Sequence, residues 1–179
     1  MTGKGHRLST TAFVLGATGS PLAAVMSFMG STFPDSSEYM FFGKRRNRYH
    51  RRYTHWFIPW LALAYVCFSR AGWIVPRISA LVDGTNAHRD VWACAGFWFM
   101  GCVLHILEDA FCGTVPFLRP WKRDVGLHIF HMSKKIGQMS AGEINFVMCV
   151  VIISVFAFMV RFFTAESFIQ FCINFWNSI

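Results

Sequence analysis

The sequence predicts an all-α protein, a polytopic membrane helix bundle formed by one domain over residues 1–179. Three observations predict this fold class. Of the 179 residues, 54% are hydrophobic and only 15% are charged, whereas a soluble domain has roughly a quarter of its residues charged. The mean hydropathy is +0.39, and the uncharged residues form several long runs. The formal net charge of +8 comes from basic residues between those runs.

The basic residues indicate which partners to expect. In a soluble protein this net charge would suggest a nucleic-acid partner. Beside apolar segments, attraction to anionic lipid headgroups explains the charge more simply. We therefore expect membrane lipids as partners and no nucleic acid, while a homo-oligomer or a partner in a membrane complex stays open.

The first apolar segment, residues 8–33, allows two interpretations. One is a single kinked span. The other is a re-entrant helical hairpin, because Gly19-Ser20-Pro21 in its middle is a turn signal. Only the hairpin returns His6 and Asp35, which flank the segment, to the same side of the membrane.

Three further stretches predict transmembrane helices, because each holds about 20 mainly apolar residues, the length that spans a bilayer. They are residues 55–75, 91–112 and 143–163. The last stretch, residues 167–179, is too short to span and predicts a short C-terminal helix in the interface or against the bundle. The segment with His128 and His131 looks like an amphipathic surface helix, and the H-x-x-H spacing leaves an extra ligand pair open.

Loop charges predict the orientation. Residues 44–52 carry six basic side chains and residues 119–135 carry five, whereas residues 76–90 carry two that are offset by two aspartates. Because cytoplasmic loops are enriched in Lys and Arg, both basic segments are predicted on the cytoplasmic side. The hairpin also places the basic N-terminus there, so the charge pattern favours the hairpin over a single span.

His105 and Asp109 lie four residues apart in the apolar stretch 91–112, so on a helix they share one face. Ionisable side chains inside a membrane are rare unless they pair, line a wet cavity or bind a cation. The predicted topology brings further imidazole and carboxylate groups to the same cytoplasmic edge, namely His6, Asp35, His50 and His55. Neutral imidazoles and carboxylates suit Zn²⁺ or a similar divalent ion.

Four short segments also carry a family resemblance. In chain order they read TGKGH at residues 2–6, GSTFPD at 30–35, HRRYTH at 50–55 and HILED at 105–109. They are similar to the T-G-K-x-H, G-x-x-x-P-D, H-R-x-x-T-H-S and H-x-L-x-D segments of the YdjM-like inner-membrane proteins, described as metal-dependent hydrolases. The resemblance implies a multi-pass protein of the bacterial inner (cytoplasmic) membrane. It rests on the metal-site region, residues 1–123, and not on residues 124–179, which hold the amphipathic segment, the last span and the C-terminal helix.

This chain departs from the family pattern next to Asp35. The family commonly reads P-D-x-D-H, whereas this chain has Ser37 in place of the second carboxylate and Glu38 in place of the histidine. These replacements weaken the case for a second metal position, although Glu38 still offers an oxygen ligand.

The leading hypothesis is an integral inner-membrane hydrolase with a divalent metal, zinc first, that cleaves a phospholipid or another membrane-associated phosphoester. The predicted ligands are His6, Asp35, His55, His105 and Asp109. His50 is predicted as a further ligand or proton shuttle, and Glu38 or Glu108 as the general base. Basic side chains whose charge suits an anionic phosphate are predicted to hold the substrate: Arg51, Arg52, Arg119 and Lys122.

Two other function classes stay open. A non-enzymatic subunit of a membrane complex would use the metal as a structural staple, with every coordination position filled by protein. A transporter would need polar groups at mid-membrane and on the outer side, where this chain offers Arg70, His88 and little else.

Overall fold

The computed structural model describes residues 1–43, 51–76, 87–116, 118–123, 125–131 and 138–162. In this part of the chain every element is helical apart from one isolated antiparallel bridge between Val115 and Val125. The helices are α1 (Gly3–Thr18), α2 (Pro21–Gly30), α3 (Phe33–Phe42), a 3-10 turn (Tyr53–His55), α4 (Phe57–Ala71), α5 (Ala87–Cys112) and α6 (Ala141–Phe162). The prediction of an all-α fold is confirmed.

The chain reverses between α1 and α2 at the predicted turn. Gly19 ends α1 with φ 69°, a left-handed conformation that glycine adopts readily. Ser20 then caps α2 by accepting a hydrogen bond from the backbone N–H of Ala23, and Pro21 takes the first helical position. His6 and Asp35 consequently return to the same end of the bundle. The placement of this hairpin relative to a membrane stays a prediction.

Helix α5 lies at the centre of the bundle between α2 and α4. Small residues allow α2 to approach it closely, since a Cβ on Gly30 or Gly101 would meet the backbone of the other helix. The Ser27 hydroxyl donates a hydrogen bond to the Phe97 carbonyl across this contact, at 2.9 Å. The close packing fixes the position of α2 along the axis of α5. It therefore also fixes the position of the residues that follow α2.

Helix α6 packs along α1. Glu143 contacts Thr2 at one end of the pair, and Arg161 donates to the Ala17 carbonyl at the other, at 2.7 Å. The two helices therefore run in the same direction. The outer face of α6 is apolar and exposed, with Ile153 at 67%.

Within the described ranges, two helices are long and apolar enough to cross a membrane, namely α5 and the part of α6 over Ala141–Arg161. Helix α4 is apolar but has 15 residues, fewer than the ~20 that span a bilayer. It is shorter than the predicted stretch 55–75 because the 3-10 turn precedes it and Gly72, at φ 74°, ends it. The count of three spans stays a prediction.

Two segments differ from the sequence predictions. Residues 33–42 form α3, which was not predicted, and its start is favoured by Pro34 in the first turn. Residues 125–131 are not the predicted amphipathic helix, because the N–H groups of Leu127 and Ile129 donate to the carbonyls of Ala110 and Phe111 at the end of α5. The predicted C-terminal helix, residues 167–179, lies outside the described residues.

Candidate metal centre

Five side chains predicted as metal ligands meet at one end of the bundle. They form two overlapping groups whose ligand atoms lie within 4.8 Å of one another, and both groups contain His105. The first group adds His6 and Asp109, and the second adds Asp35 and His55. Asp35 is the most open of the five, with 31% of its side chain exposed, while the other four are at most 3% exposed.

Helix positions explain why these residues meet. His105 and Asp109 occupy successive turns near the end of α5, on one face, as their spacing predicts. His6 lies near the start of α1, and Asp35 lies in the first turn of α3. His55 closes the 3-10 turn that leads into α4. The hairpin and the two helix starts thus deliver their side chains to the end of α5.

The shortest distances join imidazole Nε2 atoms and carboxylate oxygens. His55 Nε2 lies 3.2 Å from His105 Nε2 and 3.5 Å from Asp109 Oδ2. The Asp35 Oδ1 atom is 3.6 Å from the same His55 nitrogen. On the other side, His6 Nε2 lies 3.2 Å from Asp109 Oδ1. The three Nε2 atoms therefore surround one carboxylate.

The opposite ring nitrogens are held by hydrogen-bond acceptors. His6 Nδ1 donates to Glu108 Oε2 at 2.7 Å, and His105 Nδ1 donates to the Ser31 carbonyl at 2.5 Å. His55 Nδ1 lies 3.1 Å from the Thr54 hydroxyl, whose own proton is donated to Glu38. These acceptors assign the proton of each neutral ring to Nδ1, so each Nε2 lone pair faces the cluster.

The donor set fits a divalent cation. Three imidazole nitrogens and two carboxylates face one another. The buried His6 Nε2 lies within ion-pair distance of Asp109 Oδ1, at 3.2 Å, but makes no hydrogen bond of regular geometry among the described residues. Nitrogens bound to one tetrahedral zinc ion at about 2.0–2.1 Å lie about 3.3 Å apart, close to the 3.2 Å between His55 and His105. Nitrogen and oxygen ligands of this kind suit zinc and the neighbouring divalent metals.

The two glutamates predicted as general bases lie behind the histidines. Both oxygens of Glu108 are engaged, since Oε2 accepts from His6 while Oε1 accepts from Ser9 at 2.7 Å and Thr10 at 3.0 Å. Glu38 is fully buried, and its Oε1 accepts from the backbone N–H of Arg51 at 2.9 Å. This geometry favours positioning roles for both glutamates over proton transfer.

Glu108→Ala is expected to weaken metal binding by about 10- to 100-fold, the usual effect of removing an outer hydrogen bond to a ligand. Without the carboxylate, His6 loses the contact that directs its Nε2 atom inward. Competition with a chromophoric chelator would measure the affinity for Zn²⁺. Glu108→Gln keeps an acceptor for His6 and should lose less, whereas equal affinity in all three proteins would contradict the positioning role.

Of the predicted phosphate-binding residues, Arg51 contacts the cluster directly. Arg51 is 7% exposed and donates from Nη2 to Asp109 Oδ1 at 2.8 Å, an oxygen that the Met1 amino group also contacts. Burial opposes its charge, but the Asp109 carboxylate raises the pKa of Arg51 above its usual value. Arg52 is half-buried, and Arg119 and Lys122 are exposed. Of these four residues, only Arg51 contacts the five clustered side chains among the described residues.

Three other histidines of the described residues do not join the cluster. His50 lies outside the described residues. His128 and His131 are exposed and belong to neither ligand group. His88 lies at the opposite end of α5, where its Nε2 accepts from the Trp92 ring at 3.1 Å.

Sequence reasoning missed Glu143, a buried carboxylate at the start of α6. Its Oε1 accepts from the backbone N–H of Thr2 at 2.7 Å and from the Thr2 hydroxyl at 2.5 Å. The sequence signal is the S-x-x-E spacing from Ser140, typical of a capping box. The Ser140 hydroxyl does accept from the Glu143 N–H, but the glutamate side chain instead holds the first turn of α1, which carries His6.

Comparison with known proteins identifies one family. The model of the YdjM inner membrane protein family matches residues 1–168, which extends beyond the segments that carry the motifs. No curated protein and no solved structure matches the chain.

Proposed function

This chain belongs to the YdjM inner membrane protein family, and we propose that it is a metal-dependent hydrolase of that membrane. The proposed substrate is a phospholipid or another membrane-associated phosphoester. The observation that carries the proposal is the convergence of three imidazoles and two carboxylates from distant parts of the chain. Such a set of inward-facing lone pairs is expected for a cation site and is costly in a membrane protein without one.

The ion, zinc first, would be held by the five clustered side chains: His6, Asp35, His55, His105 and Asp109. When bound, a divalent ion supplies a Lewis acid for a phosphoryl oxygen and lowers the pKa of water. The chain itself supplies the orientation of the ligands. Glu108, the Ser31 carbonyl and Thr54 hold the three imidazoles so that each Nε2 atom faces inward.

The surroundings of Asp35 support a membrane-associated substrate. Asp35 is the open side of the cluster, at 31% side-chain exposure. The same helix, α3, exposes three large apolar side chains, Tyr39, Met40 and Phe41, each by 67% or more. The sequence after α3 is strongly basic over residues 44–52. An apolar surface followed by basic residues is suited to the interface of an anionic membrane.

We further propose a multi-pass topology with the metal site at the cytoplasmic face. Helices α4, α5 and α6 would cross the membrane, and the α1–α2 hairpin would re-enter it from the cytoplasmic side. The depth of the hairpin supports this arrangement, because Ser20 at its tip donates to the Pro76 carbonyl beyond the end of α4, at 2.8 Å. The basic segments flanking the site agree with the cytoplasmic assignment.

Metal removal tests the proposed activity. Protein stripped with a chelator is expected to lose about 100-fold or more of its phosphoester cleavage, because water and phosphate lose the Lewis acid, and to regain it with Zn²⁺. Product release would be measured from phosphatidylethanolamine–phosphatidylglycerol vesicles and from a soluble phosphodiester. His6→Ala should be inactive, whereas His88→Ala, a histidine at the far end of α5, should behave as wild type. Equal turnover by stripped and loaded protein would rule out the proposal.

A non-enzymatic subunit with a structural metal is the second candidate, favoured by the burial of four of the five ligands. It would bind metal tightly without cleaving either substrate. X-ray absorption of the zinc-loaded protein distinguishes the two functions. A coordination shell filled by protein atoms favours the subunit, and a shell that includes a water oxygen favours the hydrolase.

A further inference from the structure

We propose that the guanidinium of Arg51 occupies the place of a second metal ion, so that the cluster holds one divalent ion per chain. This deepens the proposed function and rests on it, because it assumes that the cluster binds a metal. Three features of the site carry the inference: the single lone-pair nitrogen of His105, the division of the two Asp109 oxygens, and the tight enclosure of Arg51.

His105 can serve only one ion. The two candidate ligand groups share this residue. Its Nδ1 donates to the Ser31 carbonyl at 2.5 Å, and a carbonyl only accepts, so the proton is on Nδ1 and a lone pair remains on Nε2 alone. Because one nitrogen lone pair binds one cation, His105 cannot complete both groups at once.

A second ion would then need Asp109 as a bridge, since paired metal ions lie about 3.5–4 Å apart and share ligands. The two oxygens of Asp109 face different partners. Oδ2 faces His55 at 3.5 Å and His105 at 3.9 Å. Oδ1 accepts from Arg51 Nη2 at 2.8 Å and from the Met1 amino group, and it lies 3.2 Å from His6 Nε2. The oxygen that would bind the second ion is therefore already paired with a guanidinium, which does not lose its charge.

The contacts around Arg51 fix its guanidinium beside Asp109 Oδ1. Its backbone has φ 56°, a conformation that non-glycine residues rarely adopt, and its N–H donates to Glu38 Oε1. The guanidinium lies beside Gly113, where a Cβ would collide with it, and 3.6 Å from Cys112 Sγ. Strained backbone that its surroundings fix is typical of functional positions.

The replacement of ligands next to Asp35 agrees with this inference. Ser37 donates its hydroxyl proton to the Pro34 carbonyl of its own helix. Glu38 is committed to Arg51 and Thr54. The family motif has metal-type ligands at these two positions. In this chain Ser37 instead bonds within α3, and Glu38 holds the backbone of Arg51. The resulting pair of positive centres, one ion and one guanidinium, suits the oxygens of a phosphodiester.

Metal counting tests the inference on the full chain in detergent, with Mn²⁺ as the probe. Elemental analysis of wild type should give one Mn²⁺ per chain, and its electron paramagnetic resonance spectrum should be the six-line signal of an isolated ion. Arg51→Ala should admit a second, weaker Mn²⁺. Arg51→Lys, which keeps the charge, and Arg52→Ala, which changes a neighbouring arginine, should both stay at one.

Two Mn²⁺ per chain in wild type, with an exchange-coupled spectrum, would overturn the inference and leave the proposed function standing. One Mn²⁺ in folded Arg51→Ala would also overturn it, since the arginine would then not exclude a second ion. No bound metal in wild type would overturn both proposals. If Arg51→Ala does not fold, the number of Mn²⁺ ions per wild-type chain still tests whether the cluster holds one ion.

Discussion

His105→Ala is expected to abolish metal binding, with an affinity loss well above the ~100-fold that removal of an outer contact causes. The reason is its position, because both candidate ligand groups contain His105. Replacement of His6 or Asp35 breaks one group and leaves the three ligands of the other group in place. The affinity for Zn²⁺ should therefore fall in the order wild type, Asp35→Ala or His6→Ala, and His105→Ala.

Isothermal titration with Zn²⁺ would measure these affinities, after circular dichroism has shown that each variant keeps its helices. His88→Ala is the matched control, since it removes an imidazole from the other end of the same helix. An affinity for Zn²⁺ in His105→Ala equal to that of His6→Ala would mean that the two groups do not share this residue as a ligand.

Gly101→Ala is expected to destabilise the bundle by about 1–3 kcal/mol, the usual effect of overpacking a close contact. The new Cβ would collide with the Ser27 backbone of α2. Because that contact is backbone rather than a flexible side chain, the two helices must separate. Separation would also pull the Ser31 carbonyl away from His105, so metal affinity should fall together with stability.

Gly3→Ala is the control for this substitution. Gly3 is also helical, but a Cβ there meets no atom within 4 Å. The higher helix propensity of alanine counts most in a helix interior, so it favours Gly101→Ala over Gly3→Ala. A lower stability of Gly101→Ala therefore reports on packing. Thermal unfolding in detergent would compare the two, and equal melting temperatures would show that α2 and α5 do not need their close approach.

Local sequence signals predicted the parts of the structure that depend on neighbouring residues. The turn at Gly19 and Ser20 followed from its residue types, and the shared face of His105 and Asp109 followed from helical spacing. The boundaries of α4 and the start of α3 were harder to predict from the sequence. Each depends on a few residues, such as Pro34 and Gly72, whose effect on a helix varies with context.

The partners of individual long-range hydrogen bonds could not be predicted from the sequence. The acceptor for His105 is the backbone carbonyl of Ser31, and every residue has such a carbonyl, so no side-chain pattern marks it. The same applies to residues 125–131, whose amphipathic pattern indicated a helix, whereas carbonyls at the end of α5 hold them in an irregular, non-helical conformation. Arg51 stood out only as one basic residue in a basic run, and its pairing with Asp109 depends on the fold.

The contacts of Glu108 also bear on how the protein is assembled during synthesis. Its partners His6, Ser9 and Thr10 precede it by 102, 99 and 98 residues. Until residue 108 has been synthesised, these three side chains on α1 lack the carboxylate that joins them to α5. Docking of the N-terminus against α5, and with it completion of the candidate metal centre, is therefore a late event in the folding of the chain.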